Sequence, residues 1–392
     1  MEYFNTSEAD LGRLGAIYTA SEIWNQPSVW AATYKKFARE IDEIKRFRNE
    51  VLRDAGKIIL TGAGTSAYIG YSLEGTFQRF TGITTVSIPT THLVTHPKDY
   101  LDEDMPTLVI SFARSGNSPE SVAAVKLIDR MCKSVSHLVI TCDEEGQLAQ
   151  YQSANPKFNF ILPPESNDKS LAMTSSYTSM LLTGLLFARI EKNGELEKQV
   201  DRLVEFGNVM IRKKSELLRE ISTLDFNRAV FLGSGPLFGT STESSLKLQE
   251  LTDGAIICKN DSYLGFRHGP KAVIDEGTIV IFLFSGNESV QRYEKDLVKD
   301  MQRGKKAMRL IGVSEAPVTG LDMETTICCC DSNASIDEDF LSICAVLPAQ
   351  ILGLFKSMEL GLKPDNPSVS GAISRVVEGV VIYDEELIKK GK

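Results

Sequence analysis

Residues 57–64 (KIILTGAG) and 229–235 (AVFLGSG) are each a short apolar run that ends in Gly-x-Gly and opens into a helical pattern, with the glycines 171 positions apart. The repeat continues downstream. TLVISFARSGN (107–117) and TIVIFLFSGN (278–287) end in the same Ser-Gly-Asn, and HLVITCD (137–143) with LIGVSE (310–315), then FNFILP (158–163) with TICCC (326–330), follow in matching order. Continuous apolar runs separated by helical stretches mark strands that are buried on both faces and joined by helical crossovers. Two copies of a unit of about 150 residues therefore predict an α/β chain with two doubly wound parallel sheets. Length agrees, because 392 residues exceed what one core usually supports.

Between the copies, residues 196–223 interleave charges with a period near 3.6 and predict one helix joining the halves. Upstream, PSVWAATYKKFAREIDEIKRFRNEVL (27–52) opens on Pro27 at an expected first helical position and predicts an added N-terminal helix. The expected organisation is an N-terminal helical segment (1–52), a first domain (53–195), a linker helix (196–223) and a second domain (224–388).

A formal net charge of −9 argues against a nucleic-acid or anionic-membrane surface, since either needs a concentrated basic field. Seven cysteines without CxxC spacing, three of them consecutive (Cys328, Cys329, Cys330), predict reduced thiols and a cytoplasmic protein. The polar, acidic start MEYFNTSEAD is unlike a signal peptide. The least charged long run, 171–188, carries three Thr and three Ser and predicts a buried helix rather than a membrane span.

In open parallel sheets, ligands bind outside the carboxyl ends of the strands, so the strand-to-helix turns carry the chemistry. GAGTSAY (62–68) lacks the third glycine of a dinucleotide loop, position 67 being Ala. It reads either as a tight turn with Ser66 as N-cap, or as a phosphate site built from the Thr65 and Ser66 hydroxyls and the amides of a helix N-terminus. FARSGNSPES (112–121) crowds Arg114, Ser115, Gly116, Asn117 and Ser118 ahead of Pro119. These residues either cap a helix or grip an anion; two such turns on one sheet edge favour a phosphate held from both sides. The second copy has Pro236 and Leu237 where the first has Thr65 and Ser66, so phosphate binding is assigned to the first half and chemistry to the second. ESSLKLQE (243–250) sets Glu243, Lys247 and Glu250 at spacings of four and three, either a salt-bridged surface or a catalytic face. His268 sits in a glycine-rich loop, DSYLGFRHGP (261–270). His92 and His96, four apart in THLVTHP, have no completing carboxylate or thiolate, and no metal site is expected.

Taken together, GTS at 64–66, the serine-rich turn at 115–118, the helical ESSLKLQE and RHGP at 267–270 resemble the sugar isomerase (SIS) superfamily, specifically the isomerase half of glucosamine-6-phosphate synthase. RSGNSPES, the tandem domains and the tail DNPSVSGAISRVVEGV (365–380) resemble the tagatose-6-phosphate ketose/aldose isomerase group, also described as galactosamine-6-phosphate deaminase/isomerase. The resemblance implies two tandem flavodoxin-like SIS domains. It also implies that Ser66, Ser115 and Ser118, with Thr65, Arg114 and Asn117, hold the sugar phosphate. Glu250 matches the proton-transferring base, Lys247 the lysine one turn before it, and His268 a ring-opening histidine that the synthase takes from its neighbouring subunit; a homodimer with shared sites follows. Where the synthase has an imine-forming lysine, the tail AISRVVEG offers Ser374 or Arg375, and a permanently charged arginine forms imines poorly.

The expected reaction is deamination with isomerisation of an amino-sugar 6-phosphate, galactosamine 6-phosphate first, without a redox cofactor or metal. A plain tagatose-6-phosphate isomerase is the nearest alternative and would use the same residues. A non-catalytic sugar-phosphate sensor is a third, and the short N-terminal segment offers no clear DNA-binding helix-turn-helix to support it. A contact reading the sugar's C4 epimer is expected near 171–175 or in the tail.

Overall fold

The computed structural model describes residues 1–304, 306–330, 335–377 and 379–383, so the end of the expected second domain, 384–388, lies outside the described residues. Its frame is two five-stranded sheets. The first takes β1 Lys57–Thr61, β2 Thr84–Ser87, β3 Thr107–Ala113, β4 Val135–Thr141 and β5 Lys157–Ile161 in the order β2-β1-β3-β4-β5. The second takes β6 Arg228–Leu232, β7 Ile257–Asp261, β8 Thr278–Leu283, β9 Arg309–Ser314 and β10 Thr325–Cys328 in the order β7-β6-β8-β9-β10. Every pairing in both is parallel, with Leu60 opposite Ile110 in one and Phe231 opposite Ile281 in the other.

The two orders match strand for strand, which is the duplication seen in the sequence. The repeat extends to backbone conformation: Gly64 lies at φ 55°, ψ −128° and Gly235 at φ 56°, ψ −131°. Few residues other than glycine adopt this region, so both turns need it. The edge strands β2 (TTVS) and β7 (ICKND) escaped the sequence pattern, being short and partly polar with no continuous apolar run.

Helices pack against the two sheets. Among them are α1 Ile17–Arg39, α2 Ile41–Leu52, α3 Thr65–Thr81, α4 Pro119–Met131, α5 Ser175–Ala188, α6 Asn193–Lys213, α7 Ser215–Ser222, α8 Pro236–Leu251 and α9 Leu347–Glu359. Pro27 does not begin a helix as expected but lies inside α1. Tertiary packing overrides its helix-breaking tendency: Pro27 and Trp30 sit against Gly207 of α6, where a β-carbon would come within 2.4 Å of the indole. The expected linker helix is likewise two helices, α6 and α7, interrupted at Lys214. α5 is buried along its whole length, as expected for the 171–188 run. Glu338–Glu359, long and apolar enough by composition to cross a membrane, is likewise buried throughout its apolar 18-residue window.

A buried polar chain stitches α1 to both halves. The Trp30 indole donates to Thr178 Oγ1 at 2.9 Å, Thr178 donates to Gln26 Oε1 at 2.8 Å, and Gln26 Nε2 donates to Gln350 Oε1 at 2.6 Å. Stranding one of these groups without its partner costs about 1–3 kcal/mol.

The contact that matters most for function is the crossing of α3 and α8, one helix from each half. Gly239 lies at that crossing. A β-carbon there would come within 2.5 Å of the Ser72 backbone nitrogen and 2.7 Å of the Tyr68 carbonyl, so the helices approach to backbone contact. This brings the first turn of α3 beside the last two turns of α8.

Candidate active site

Two turns, a helix end and the tail meet around a cleft of about 330 Å³. The β1–α3 turn contributes Gly64, Thr65 and Ser66; the β3–α4 turn Arg114, Ser115, Gly116 and Ser118; α8 its Glu250; and the tail Ser374, Arg375, Val376 and Val377. Residues distant in sequence share this one space because both turns leave the carboxyl edge of the same sheet, and the helix crossing carries α8 to it.

Ser66 does not cap α3. The cap is Gly64, with no side-chain hydrogen bond, and Ser66 lies in the first helical turn facing the cleft. Ser118 caps α4 by backbone geometry alone, ahead of Pro119, and also lines the cleft. Gly116, at φ 66°, supplies the left-handed turn between them. Asn117 is turned away. Its side-chain oxygen accepts from Gln147 N at 3.1 Å and its amide donates to Ser115 Oγ at 3.3 Å, so it ties the turn to the neighbouring loop rather than lining the cleft.

The carboxylates of α8 form one cluster around Lys247. The Lys247 ammonium, fully buried, lies 2.6 Å from Glu250 Oε2, 3.4 Å from Glu243 Oε1 and 3.2 Å from Thr65 Oγ1. Thr65 donates in turn to Glu243 Oε1 at 3.4 Å, so its hydroxyl is used inside the cluster. Glu243 is buried and Glu250 is 19% exposed, opening on the cleft. Burial pushes the Glu243 carboxyl up to about 7, with Lys247 opposing the shift and Glu250 adding to it. Burial pulls the Lys247 ammonium down, but Glu243 and Glu250 together outweigh it and hold it above the ordinary lysine range. This is no exposed helix pair of the kind that contributes only tenths of a kcal/mol. A buried lysine held by two carboxylates orients the outer one, Glu250, toward the cleft.

Arg114 is nearly buried, and its donors go to backbone carbonyls rather than forming an open fork. Nη1 donates to Ser170 O at 3.2 Å and Leu171 O at 3.1 Å, and Nη2 to Arg375 O at 2.5 Å. Arg375 reaches back across the same loop, donating to Asp168 O from Nε at 2.9 Å and to Asn167 Oδ1 from Nη2 at 2.9 Å. The two arginines thus tie the tail to segment 167–171. Ser374 Oγ donates to Val376 O at 2.6 Å.

Asp168 had no signal in the sequence. It is buried and accepts the amides of Thr174, Ser175 and Ser176 at 2.9, 2.9 and 3.0 Å, fixing segment 167–171 to the start of α5. No fixed offset marks an Asp six residues ahead of the N-cap, Thr174, of the helix whose amides it accepts.

His268 stands exposed on the loop after the Tyr263–Phe266 helix and is not part of the cleft lining of its own chain. His92 stacks on Tyr100 at 6.0 Å, and His137 is buried with Nε2 2.7 Å from Asp129 Oδ1.

Residues 51–190, the first of the two repeated units, match the SIS domain model. A D-galactosamine-6-phosphate deaminase from Shewanella sp. (strain ANA-3) is 36% identical over 381 residues, covering 96% of this chain and 94% of that protein. The chain belongs to the SIS superfamily, in its galactosamine-6-phosphate deaminase and tagatose-6-phosphate isomerase group. A second relative in this SIS group, the D-galactosamine-6-phosphate deaminase of Escherichia coli, is 38% identical over 371 residues, 93% of this chain and 95% of its own. The crystal structure of tagatose-6-phosphate ketose/aldose isomerase from Escherichia coli superposes with a TM-score of 0.85 at 34% identity, over 97% of this chain and 99% of that one. The likeness thus spans both SIS units and the cleft between them.

Proposed function

We propose that this enzyme converts D-galactosamine 6-phosphate and water to D-tagatose 6-phosphate and ammonia. The observation that carries the proposal is the meeting of both serine-bearing turns with Glu250 in one cleft, in a chain related end to end to proteins named for this reaction.

The sugar phosphate enters with its phosphate between Ser66 on one side and Ser115 with Ser118 on the other, where two helix N-termini offer amides and positive dipole ends. Arg114 adds fixed positive charge beneath and, with Arg375, holds the tail closed over the sugar. With the phosphate anchored, the C1–C2 end of the open-chain sugar lies toward Glu250. Glu250 removes the proton from C2 and returns it to C1, so the C1 aldehyde and C2 amine become a C1 alcohol and a C2 imine by way of an enolamine. Water adds to the C2 imine, and loss of ammonia leaves the ketose. A positioned carboxylate contributes about 10²- to 10⁴-fold as a base, and orientation by the phosphate anchor supplies much of the rest. Lys247 orients the Glu250 carboxylate and offsets the negative charge that develops at the oxygen on C1.

His268 lies away from the cleft of its own chain, which supports a homodimer in which it serves the neighbouring copy's site and relays the proton that opens the ring. The seven cysteines form no disulfide, in keeping with a cytoplasmic enzyme. Plain tagatose-6-phosphate isomerisation is the second reading, favoured by the name of the Escherichia coli structure. Incubation with galactosamine 6-phosphate separates the two: one ammonia per ketose supports the deaminase, and ketose-to-aldose conversion of tagatose 6-phosphate without turnover of the amino sugar supports the isomerase.

A further inference from the structure

Segment 167–171 is a thin wall with space on both sides. One face lines the substrate cleft through Leu171, and the other borders a separate cavity of about 540 Å³ through Asn167 and Lys169. That cavity holds none of the serine turns or α8 carboxylates, so the chemistry belongs to the smaller cleft. Hydrogen bonds hold the wall from both sides. On the cleft side these are the bonds from Arg114 and Arg375 to its carbonyls.

On the outer side the wall is held by Glu22 of α1. Its Oε1 accepts Lys169 N at 2.5 Å and Ser170 N at 3.3 Å, and its Oε2 pairs with the Ser170 hydroxyl. One turn earlier on α1, Thr19 N and Thr19 Oγ1 donate to Asp365 Oδ1 at 2.8 and 2.9 Å, while the carbonyl of Asp365 accepts Leu171 N at 2.9 Å. α1 therefore grips the wall at Lys169 and Ser170 directly, and at Leu171 through the start of the tail.

We propose that Glu22 is a positioning residue for substrate binding: by holding Lys169 and Ser170 it places the carbonyls on which Arg114 sits, and through Arg114 and Arg375 it sets the tail over the cleft. The inference rests on the proposed reading of the cleft as a sugar-phosphate site. The form of Glu22 that suits its surroundings is the neutral acid. Burial foremost, and then the charge of Asp168, push its carboxyl up to about 8. Ser170 Oγ donates to Oε2 when Glu22 is a carboxylate; in the neutral acid the Oε2 proton serves that bond instead and the Ser170 proton goes to Ala172 O at 3.1 Å, while Oε1 accepts the two amides in either form. A glutamine in the same place reproduces all of these bonds, its Nε2 standing for the acid O–H.

The test compares Glu22→Gln, Glu22→Ala and Ser170→Ala by steady-state kinetics and by calorimetric binding of galactosamine 6-phosphate and of inorganic phosphate. Glu22→Ala should raise KM and the sugar-phosphate Kd about tenfold with kcat within about threefold, the signature of lost ground-state positioning. Glu22→Gln should stay within about twofold of wild type in both, and Ser170→Ala, which loses one bond of the set, should move KM in the same direction by about threefold. The inference is overturned if Glu22→Ala leaves KM and Kd unchanged, or if Gln fails to rescue and kcat falls in step with KM. If Glu22→Ala does not fold, an unchanged Kd in Ser170→Ala overturns it equally. Failure of the underlying reading looks different: the wild-type protein would then bind neither galactosamine 6-phosphate nor phosphate.

Discussion

Gly239→Ala tests whether the backbone contact between α3 and α8 builds the site. The new methyl carbon would stand 2.5 Å from Ser72 N and 2.7 Å from Tyr68 O, against the 3.4 Å at which ordinary contact begins. Backbone atoms cannot swing aside as a side chain can, so the helices must part by about 0.9 Å, the shortfall at Ser72 N. That displacement carries Lys247 Nζ and Thr65 Oγ1, now 3.2 Å apart, beyond hydrogen-bond range, and loosens the Thr65 to Glu243 bond, already at 3.4 Å. Overpacking costs about 1–3 kcal/mol, while alanine in place of glycine within a helix recovers about 1 kcal/mol. The net stability loss should therefore be small, about 1 kcal/mol. Activity should suffer more, because a misplacement of about 1 Å at a catalytic constellation costs up to about 10²-fold. Thermal unfolding by circular dichroism and ammonia release from galactosamine 6-phosphate give the two numbers. A variant with raised Tm and wild-type kcat would refute the reasoning, since only the propensity gain would then have been felt.

Glu250→Gln should fold, bind galactosamine 6-phosphate with a wild-type Kd, and lose about 10²- to 10⁴-fold in kcat, measured by ammonia release and calorimetry. Arg114→Ala should raise KM far more than it lowers kcat. Arg114→Lys should not rescue it, because one ammonium cannot span the carbonyls of Ser170, Leu171 and Arg375 that the planar guanidinium joins. If His268 serves the partner's site, mixing Glu250→Gln and His268→Ala chains after reversible dissociation should restore about a quarter of wild-type activity, because half of the dimers then carry one intact site; no recovery would mean that each chain uses its own histidine. Glu243 is raised from an unfolded value of 4.5 to about 7, so the folded chain keeps a proton that the unfolded chain releases. Its contribution to stability is fully present below pH 4.5 and is lost as pH rises toward 7. The unfolding free energy of wild type relative to Glu243→Gln should fall across that window, by at most about 1.4 kcal/mol per pH unit. A flat difference would count against the burial argument.

What could be read from the sequence was what depends on local pattern. Apolar runs and Gly-x-Gly turns located eight of the ten strands of the two five-stranded sheets and the internal duplication. Spacing alone put Glu250 and Lys247 on one helix face. The remainder depends on contacts between distant segments. Pro27 is helical because Gly207, far along the chain, leaves room for it and for Trp30. Asn117 carries the same residue type a phosphate site would use, yet its oxygen is taken by Gln147 N. Arg114 sits in a turn whose residue types suit an anion, and only the folded chain reveals that its donors are occupied by carbonyls of segment 170–171 and the tail. Asp168 and Glu22 lie outside any motif: Asp168 accepts backbone amides at the start of α5, and Glu22 accepts those of the loop before it.

The most direct test of the central claim follows the C2-to-C1 proton transfer and nitrogen loss together. Galactosamine 6-phosphate is turned over in D₂O by wild type and by Glu250→Gln, with ammonia assayed enzymatically and the ketose examined by NMR. Wild type should release one ammonia per tagatose 6-phosphate, with deuterium entering only at C1, and Glu250→Gln should lose both signals while still binding the sugar phosphate. Near-normal turnover in the glutamine variant, or a ketose formed without ammonia, would contradict the account.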